Sequence, residues 1–387
     1  MGITITTAGE SHGRGMVVTI VGMPAGLEVD TAFINAELAR RQQGFGRGGR
    51  MRIETDTVDI LAGVMGGKTT GAPVVFVVWN KDWENWKDKT PEPIHTPRPG
   101  HADLVGMYKY GHLDDARKVL ERASARETAA RVAGGALVKL FLKCFGIEIF
   151  SHVVNWGGIV PSARVDDLEE LKQKTNVSPF RWLGTEEDDR RLTALIEQAM
   201  REGFTLGGII ETIVCPVPPM LGSYQTAEQK LDARLASAVL SVQAIKGIEF
   251  GIGFEYGNRP GKDAMDAIYY GENGYYRKTN YAGGIEGGMT NGNPIVFRSV
   301  MKPIPTQMSP LETVHVHTKE KALSVKERSD VTAVYAASVV IEAAIAPVLG
   351  SALLERYGGD HIDRILESFQ RDAALWELGY RGFSHLR

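Results

Sequence analysis

The stretch RASARETAARVAGGALVKLFLKCF, residues 122–145, decides how this chain is read. It contains no proline, and its centre is a run of small residues: Ala123, Ala125, Ala129, Ala130, Ala133, Gly134, Gly135 and Ala136. Alanine is the strongest helix former, so the longest helix of the chain is expected over about 115–145. Small side chains let another element come close to a helix backbone, and the run predicts such a partner.

Upstream, β-branched or alternating runs near 3–7, 16–22, 51–62 and 74–79 predict strands, and Asp30 is placed to cap a helix reaching about residue 43. Downstream, helices are expected near 185–202, 227–243, 331–347 and 361–375. Glycine-rich segments at 247–261, 271–294 and 302–310 read as too irregular for core elements. Residues 80–114, with Pro91, Pro93, Pro97 and Pro99, show no periodicity, and so long a structureless stretch is usually functional. Strands and helices mix without a βαβ rhythm, which predicts an α+β fold with one domain over residues 1–387.

With 43% hydrophobic and 24% charged residues, the composition is that of a globular protein. No run of 18 apolar residues predicts a membrane span, and MGITITTAGESHG reads as neither a signal peptide nor a lipidation signal. Cys144 and Cys215 are far apart, so neither a disulfide framework nor a structural zinc site is expected, and a reducing cytoplasm fits. A net charge of −3 gives no reason to expect nucleic acid. Locally, Arg40, Arg41, Arg47, Arg50 and Arg52 share a glycine-rich segment without an acidic residue, which suits a small polyanion better than a duplex. AGVMGGKT at 62–69 resembles a phosphate loop, but GAP and the strand-like VVFVVW follow where a helix is needed; a hairpin is expected instead.

Two histidines stand where acid–base chemistry is plausible: His12 in GESHG, beside Ser11, and His101 in RPGHAD, beside Asp103. Neighbours in a turn seldom aim at each other, so a Ser11–His12 nucleophile pair is disfavoured. On a continuous helix Arg122 and Arg126 would share a face with Ser124 turned away. Lys302-Pro303-Ile304-Pro305-Thr306 is a proline-stiffened loop suited to gripping phosphate, and Arg328-Ser329-Asp330 offers a charge and a base. His315 and His317 alternate as strand ligands would, but a third ligand is not evident, and no metal is expected.

GESHG, RRQ…GFGRGGRMRIETD, GGKTTGAPV, RPGHAD, RASARETAARVAGG, GGMTNG, KPIPT and RSD occur in this order between residues 9 and 330. Each is weak alone; the ordered set resembles the chorismate synthase family. The one departure is RAS at 122–124 where other members have RSS, and it keeps Ser124. The resemblance implies a helical layer sandwiched between antiparallel sheets, in a cytoplasmic homotetramer. It also implies reduced FMN, with NADPH as a candidate reductant, and elimination of phosphate from 5-enolpyruvylshikimate 3-phosphate. By the same resemblance His12 protonates the departing phosphate, His101 sits near flavin N1, and Asp330 assists removal of the C6 proton. Ser11 and Ser124 match active-site serines, and Arg41, Arg47, Arg50 and Arg126 match positions for substrate or nicotinamide. Flavin contacts would come from Arg122, Ala123, Ser124, Gln243, Ala244, Gly288, Lys302, Pro303, Ile304, Pro305, Thr306 and Arg328. A flavin- or phosphate-binding protein without catalysis, or a phosphatase, would be the alternatives; the first need not keep His12, His101 and Asp330 together.

Overall fold

The computed structural model describes residues 2–46, 55–165, 167–272, 274–325 and 330–374. The chain opens with β1 (Thr4–Ala8) and β2 (Gly15–Val21), then α1 (Thr31–Gln42), whose N-terminus is capped as expected: the Asp30 side chain accepts from Phe33 N. β3 (Asp59–Ala62) is followed by a small hairpin, β4 (Val64–Met65) and β5 (Lys68–Thr69), and by β6 (Val74–Trp79). The phosphate-loop look-alike is therefore a hairpin. β1, β2, β6 and β3 form an antiparallel sheet in that order.

The span 80–114 is less irregular than its composition suggests, since it holds α2 (Trp83–Trp86) and α3 (Asp103–Tyr110). The long helix expected over 115–145 is two helices, α4 (Arg117–Ala123) and α5 (Thr128–Lys143). Between them Ser124 is extended and caps a short 3-10 turn, Ala125–Glu127, by accepting from Arg126 N. Arg122 and Arg126 thus do not share a helix face.

A second antiparallel sheet has the order β7 (Glu148–Trp156), β8 (Gly208–Cys215), β14 (Ile295–Met301), β9 (Ile245–Phe250). Strand β9 corrects the reading of residues 247–261 as outside the core. The intervening chain supplies α6 (Leu168–Val177), α7 (Glu186–Glu202), α8 (Leu231–Leu240) and the hairpins β10 (Ile268–Gly271)–β11 (Gly274–Arg277) and β12 (Ile285–Glu286)–β13 (Met289–Thr290). After β14 come the hairpin β15 (Glu312–Val314)–β16 (Lys321–Leu323), then α9 (Val334–Tyr357) and α10 (Ile362–Ala373). Helix α9 runs ten residues past the expected end despite Pro347.

Helices α1, α5, α8 and α9 form a layer between the sheets, with α5 against β1, β2 and β6 and α9 against β7 and β8. Gly134 makes the first contact possible, because a Cβ there would lie 2.9 Å from Val18 and 3.1 Å from Ile5. One apolar core runs through both sheets and the helical layer, from Ile3 to Ile365. Helix α9 is long and apolar enough to cross a bilayer by composition, yet 78% of that window is buried inside the protein, as in a core helix. At its middle Glu342 is fully buried and bonds Arg40, Lys139, Arg181 and Ser151 N, while Lys139 also bonds Glu37. Burial alone would raise the Glu342 carboxyl, but the three cations hold it far below the usual range.

Candidate active site

Gly9 has φ +113°, a backbone that turns the chain sharply out of β1 into residues 10–13. This turn is tied down from two sides. Asn80, just past β6, donates through Nδ2 to the carbonyls of Gly13 at 2.7 Å and of Glu10 and Ser11 at 3.3 Å. Glu121, near the end of α4, accepts from His12 N and His12 Nδ1, each at 2.7 Å. Trp86 packs against the imidazole with ring centroids 4.0 Å apart. Buried Ser11 accepts from Ser124 Oγ at 3.2 Å, so the break between α4 and α5 is what brings the two serines together. The Ser11–His12 pair was disfavoured from the sequence, and here Ser11 meets Ser124 while Nδ1 of His12 meets Glu121.

Behind this turn Arg126 donates to Asn80 Oδ1 at 2.8 Å and to both carboxylate oxygens of Asp56 at 2.8 and 2.9 Å. Arg41 reaches the same carboxylate at 4.0 Å. The expected arginine anion cluster is revised accordingly. Arg40 belongs to the core network with Glu37 and Glu342, and Arg41 and Arg126 flank buried Asp56; the counter-charges are Glu37, one turn away on the same helix, and Asp56 and Glu342 from elsewhere in the chain. Arg47, Arg50 and Arg52 lie outside the described residues.

The second histidine is built the same way. His101 Nδ1 is 2.5 Å from Asp103 Oδ1, at the start of α3, and Arg98 brackets that carboxylate through Nε at 2.8 Å and Nη2 at 3.1 Å. Burial alone would raise the Asp103 carboxyl, but hydrogen bonds from His101 and Arg98 hold it well below the usual range. An ionised carboxylate only accepts, so Nδ1 of each histidine carries the proton; Nε2 of His101 lies 3.4 Å from Arg98 Nη2. Arg98 also donates to Thr306 Oγ1 at 2.7 Å, Lys302 Nζ donates to Gly100 O, and Lys302 N donates to Ala244 O. Loop 302–306, residue 244 and the His101 loop therefore meet.

One chain of contacts joins the two histidine groups. Arg122 donates to Thr7 and Gly9 at the root of the His12 turn, Thr7 donates to Glu127, and Gln243, next to Ala244, donates to the same Glu127. The amide of Gln243 is oriented by that bond, and its Oε1 is buried without a donor among the described residues.

A family model described as chorismate synthase matches residues 3–354. The chain belongs to the chorismate synthase family. It is 51% identical over 364 residues to the chorismate synthase of Caldanaerobacter subterraneus subsp. tengcongensis, covering 94% of this chain and 96% of the relative. With that of Geobacter sulfurreducens it shares 48% over 381 residues, again 94% and 96% of the two chains. A crystal structure of chorismate synthase superposes with a TM-score of 0.79 at 39% identity, covering 97% of this chain and 98% of that one. Membership of that family makes the enzyme a lyase.

Other expected chorismate synthase site residues are placed less centrally. Gly288 packs on Gly222 and on Lys230 and Leu231 at the start of α8. Asp330 is half-buried, one residue before Val331, whose N–H donates to Gly46 O. Arg328 lies outside the described residues. His315 and His317 sit in the turn between β15 and β16 rather than on a strand, and His95 supplies a third ring at 5.2 and 5.0 Å. His315 Nδ1 accepts from two backbone N–H groups, and among the described residues no group of three or more such side chains is arranged to hold a metal. Sequence reading missed Glu121, Asp56, Asn80 and Trp86 as site-builders; all four lie within or beside the quoted motifs or in the span 80–114.

Proposed function

We propose that this enzyme catalyses the anti-1,4-elimination of phosphate and the C6 hydrogen from 5-enolpyruvylshikimate 3-phosphate to give chorismate, using reduced FMN. The observation that carries the reading is the pair of carboxylate-held imidazoles, His12 on Glu121 and His101 on Asp103, joined through Gln243, Ala244 and Lys302. Together with family membership it favours proton delivery at two fixed points.

The residues present fit a flavin. The buried, donor-less Oε1 of Gln243 suits a ring N–H, and the loop 302–306 beside His101 supplies a lysine, a threonine and stiff backbone. Reduced FMN held there would supply electron density to the substrate ring during C–O cleavage without net oxidation. His12 gives a proton from Nε2 to the departing phosphate, which leaves with the C–O electron pair. His101, its Nδ1 proton fixed by Asp103, holds the flavin N1 region in the required protonation state. Asp330 would help flavin N5 take the C6 proton, and Ser11 and Ser124 would orient the substrate. We place the enzyme in the cytoplasm as a homotetramer; exposed Met265, Ile268 and Tyr270 along one segment support covered surface in an assembly.

The test is phosphate release from 5-enolpyruvylshikimate 3-phosphate under anaerobic conditions with reduced, oxidised or no FMN. Release with reduced FMN alone is expected. Equal release with oxidised or absent flavin would instead mark a phosphatase.

A further inference from the structure

Glu121 gives the His12 turn three acceptors. Its backbone carbonyl accepts from Ser11 N at 3.0 Å, Oε2 accepts from His12 N at 2.7 Å, and Oε1 lies 2.7 Å from His12 Nδ1. Both carboxylate oxygens are engaged by one residue, so the carboxylate plane and the imidazole are fixed relative to each other. The ring is held on a second side by Trp86, itself anchored by Nε1 donating to Asp82 at 3.0 Å. Burial pushes the Glu121 carboxyl up, but the side-chain and backbone hydrogen bonds from His12 outweigh this and hold it below the usual range. It is therefore ionised at neutral pH and accepts only.

We propose that Glu121 is a positioning residue for His12, locking the imidazole with its proton on Nδ1 so that Nε2 delivers the proton to the leaving phosphate. This rests on the role given to His12 above. In the step, the Nε2–H bond breaks and an O–H bond forms on phosphate. The imidazolium becomes neutral, and the other proton stays on Nδ1, donated to the Glu121 carboxylate. A carboxylate on the far nitrogen both selects that tautomer and stabilises the charged ring before transfer.

Glu121→Gln keeps the shape but can no longer accept at both oxygens, and is expected to lower kcat by about 10²-fold or more, with KM for the phosphate ester changed less than about threefold. The loss should deepen as pH rises, because the amide gives the charged ring less support. Glu121→Asp should recover part of it. In a His12→Ala background Glu121→Gln should cost nothing further, since it acts through a ring no longer present. A full, additive loss in that background, or wild-type kcat in Glu121→Gln, would overturn the proposal. Should the variants fail to fold, histidine-selective ¹⁵N spectra of the wild-type enzyme decide the matter without substrate: protonated Nδ1 in neutral His12 is expected, and protonated Nε2 with bare Nδ1 contradicts it. That spectrum is independent of the reaction assigned, so its outcome separates this proposal from the functional reading.

Discussion

Gly135 of α5 lies directly against Ala343 of α9: a Cβ at residue 135 would sit 2.4 Å from the Ala343 carbonyl oxygen and 2.6 Å from its Cα. The neighbour is backbone, which cannot swing aside. Two helices can meet this closely only where one has no side chain, and this meeting sets the thickness of the helical layer between the sheets. Gly135→Ala is therefore expected to destabilise by about 1–3 kcal/mol despite alanine's better helix propensity. Denaturant midpoints of wild type and variant measure this; an unchanged or raised midpoint would mean the layer relaxes freely.

Arg126 is a different case, because family resemblance reads it as a ligand contact whereas its recorded bonds go to Asp56 and Asn80. Removing one partner of a buried ion pair leaves an uncompensated charge, so Arg126→Ala should cost on the order of 3 kcal/mol of stability. Arg126→Lys should recover a part only, since one ammonium would replace two donor atoms, Nη1 on both Asp56 oxygens and Nε on Asn80. Unchanged stability combined with weakened substrate binding would return Arg126 to the role of ligand contact.

His12→Ala and His101→Ala should each lower turnover roughly 10²–10⁴-fold, the usual range for a lost general acid or base, with unfolding transitions still cooperative. Single-turnover rates at saturating substrate measure it. Wild-type rates in either variant would take that histidine out of the mechanism.

The acid side of the stability curve has a specific contributor. Glu211 on β8 faces His152 on β7 and Arg298 on β14 across the sheet, at 3.1 and 2.8 Å. Burial alone would raise its carboxyl, but these partners hold it down at about 2, against 4.5 for the ordinary group. The folded state thus binds fewer protons than the unfolded state between those values. Its contribution, on the order of 3 kcal/mol, is complete above the unfolded value and is lost as pH falls towards the folded one. The stability difference between wild type and Glu211→Gln should therefore be large near neutrality, reduced by more than half at about pH 3, and small only at about pH 2 or below. A difference independent of pH would remove Glu211 from the acid response.

The small-residue stretch 122–145 announced a close-packed helix, and Gly134 and Gly135 show why the residues had to be small: one faces the first sheet, the other α9. What local composition hid was the break at Ser124. Nothing in RASARET opposes a continuous helix; the interruption accompanies a contact between Ser124 Oγ and Ser11, 113 positions away. Glu121 and Asp56 were equally hidden, because ion-pair partners carry no periodic signal. Strands β7, β8 and β14 were passed over; IVFRSVM alternates buried and open positions along β14, but with Ser299 inside and Val296 and Val300 outside, its polarity does not show that period of two. The histidines themselves were legible, each lying in a short turn-rich motif. The orientation of His12 was not, since it depends on Glu121, 109 positions away, whereas the partner of His101, Asp103, lies in the same motif.

The central claim is that this chain uses reduced FMN as a catalyst for elimination. The most direct measurement is an anaerobic reaction with 5-enolpyruvylshikimate 3-phosphate in large excess over photoreduced FMN, following chorismate and phosphate together without added reductase. The account predicts many turnovers per flavin, with the two products formed in equal amounts. One product per flavin, or phosphate formed without chorismate, would contradict it.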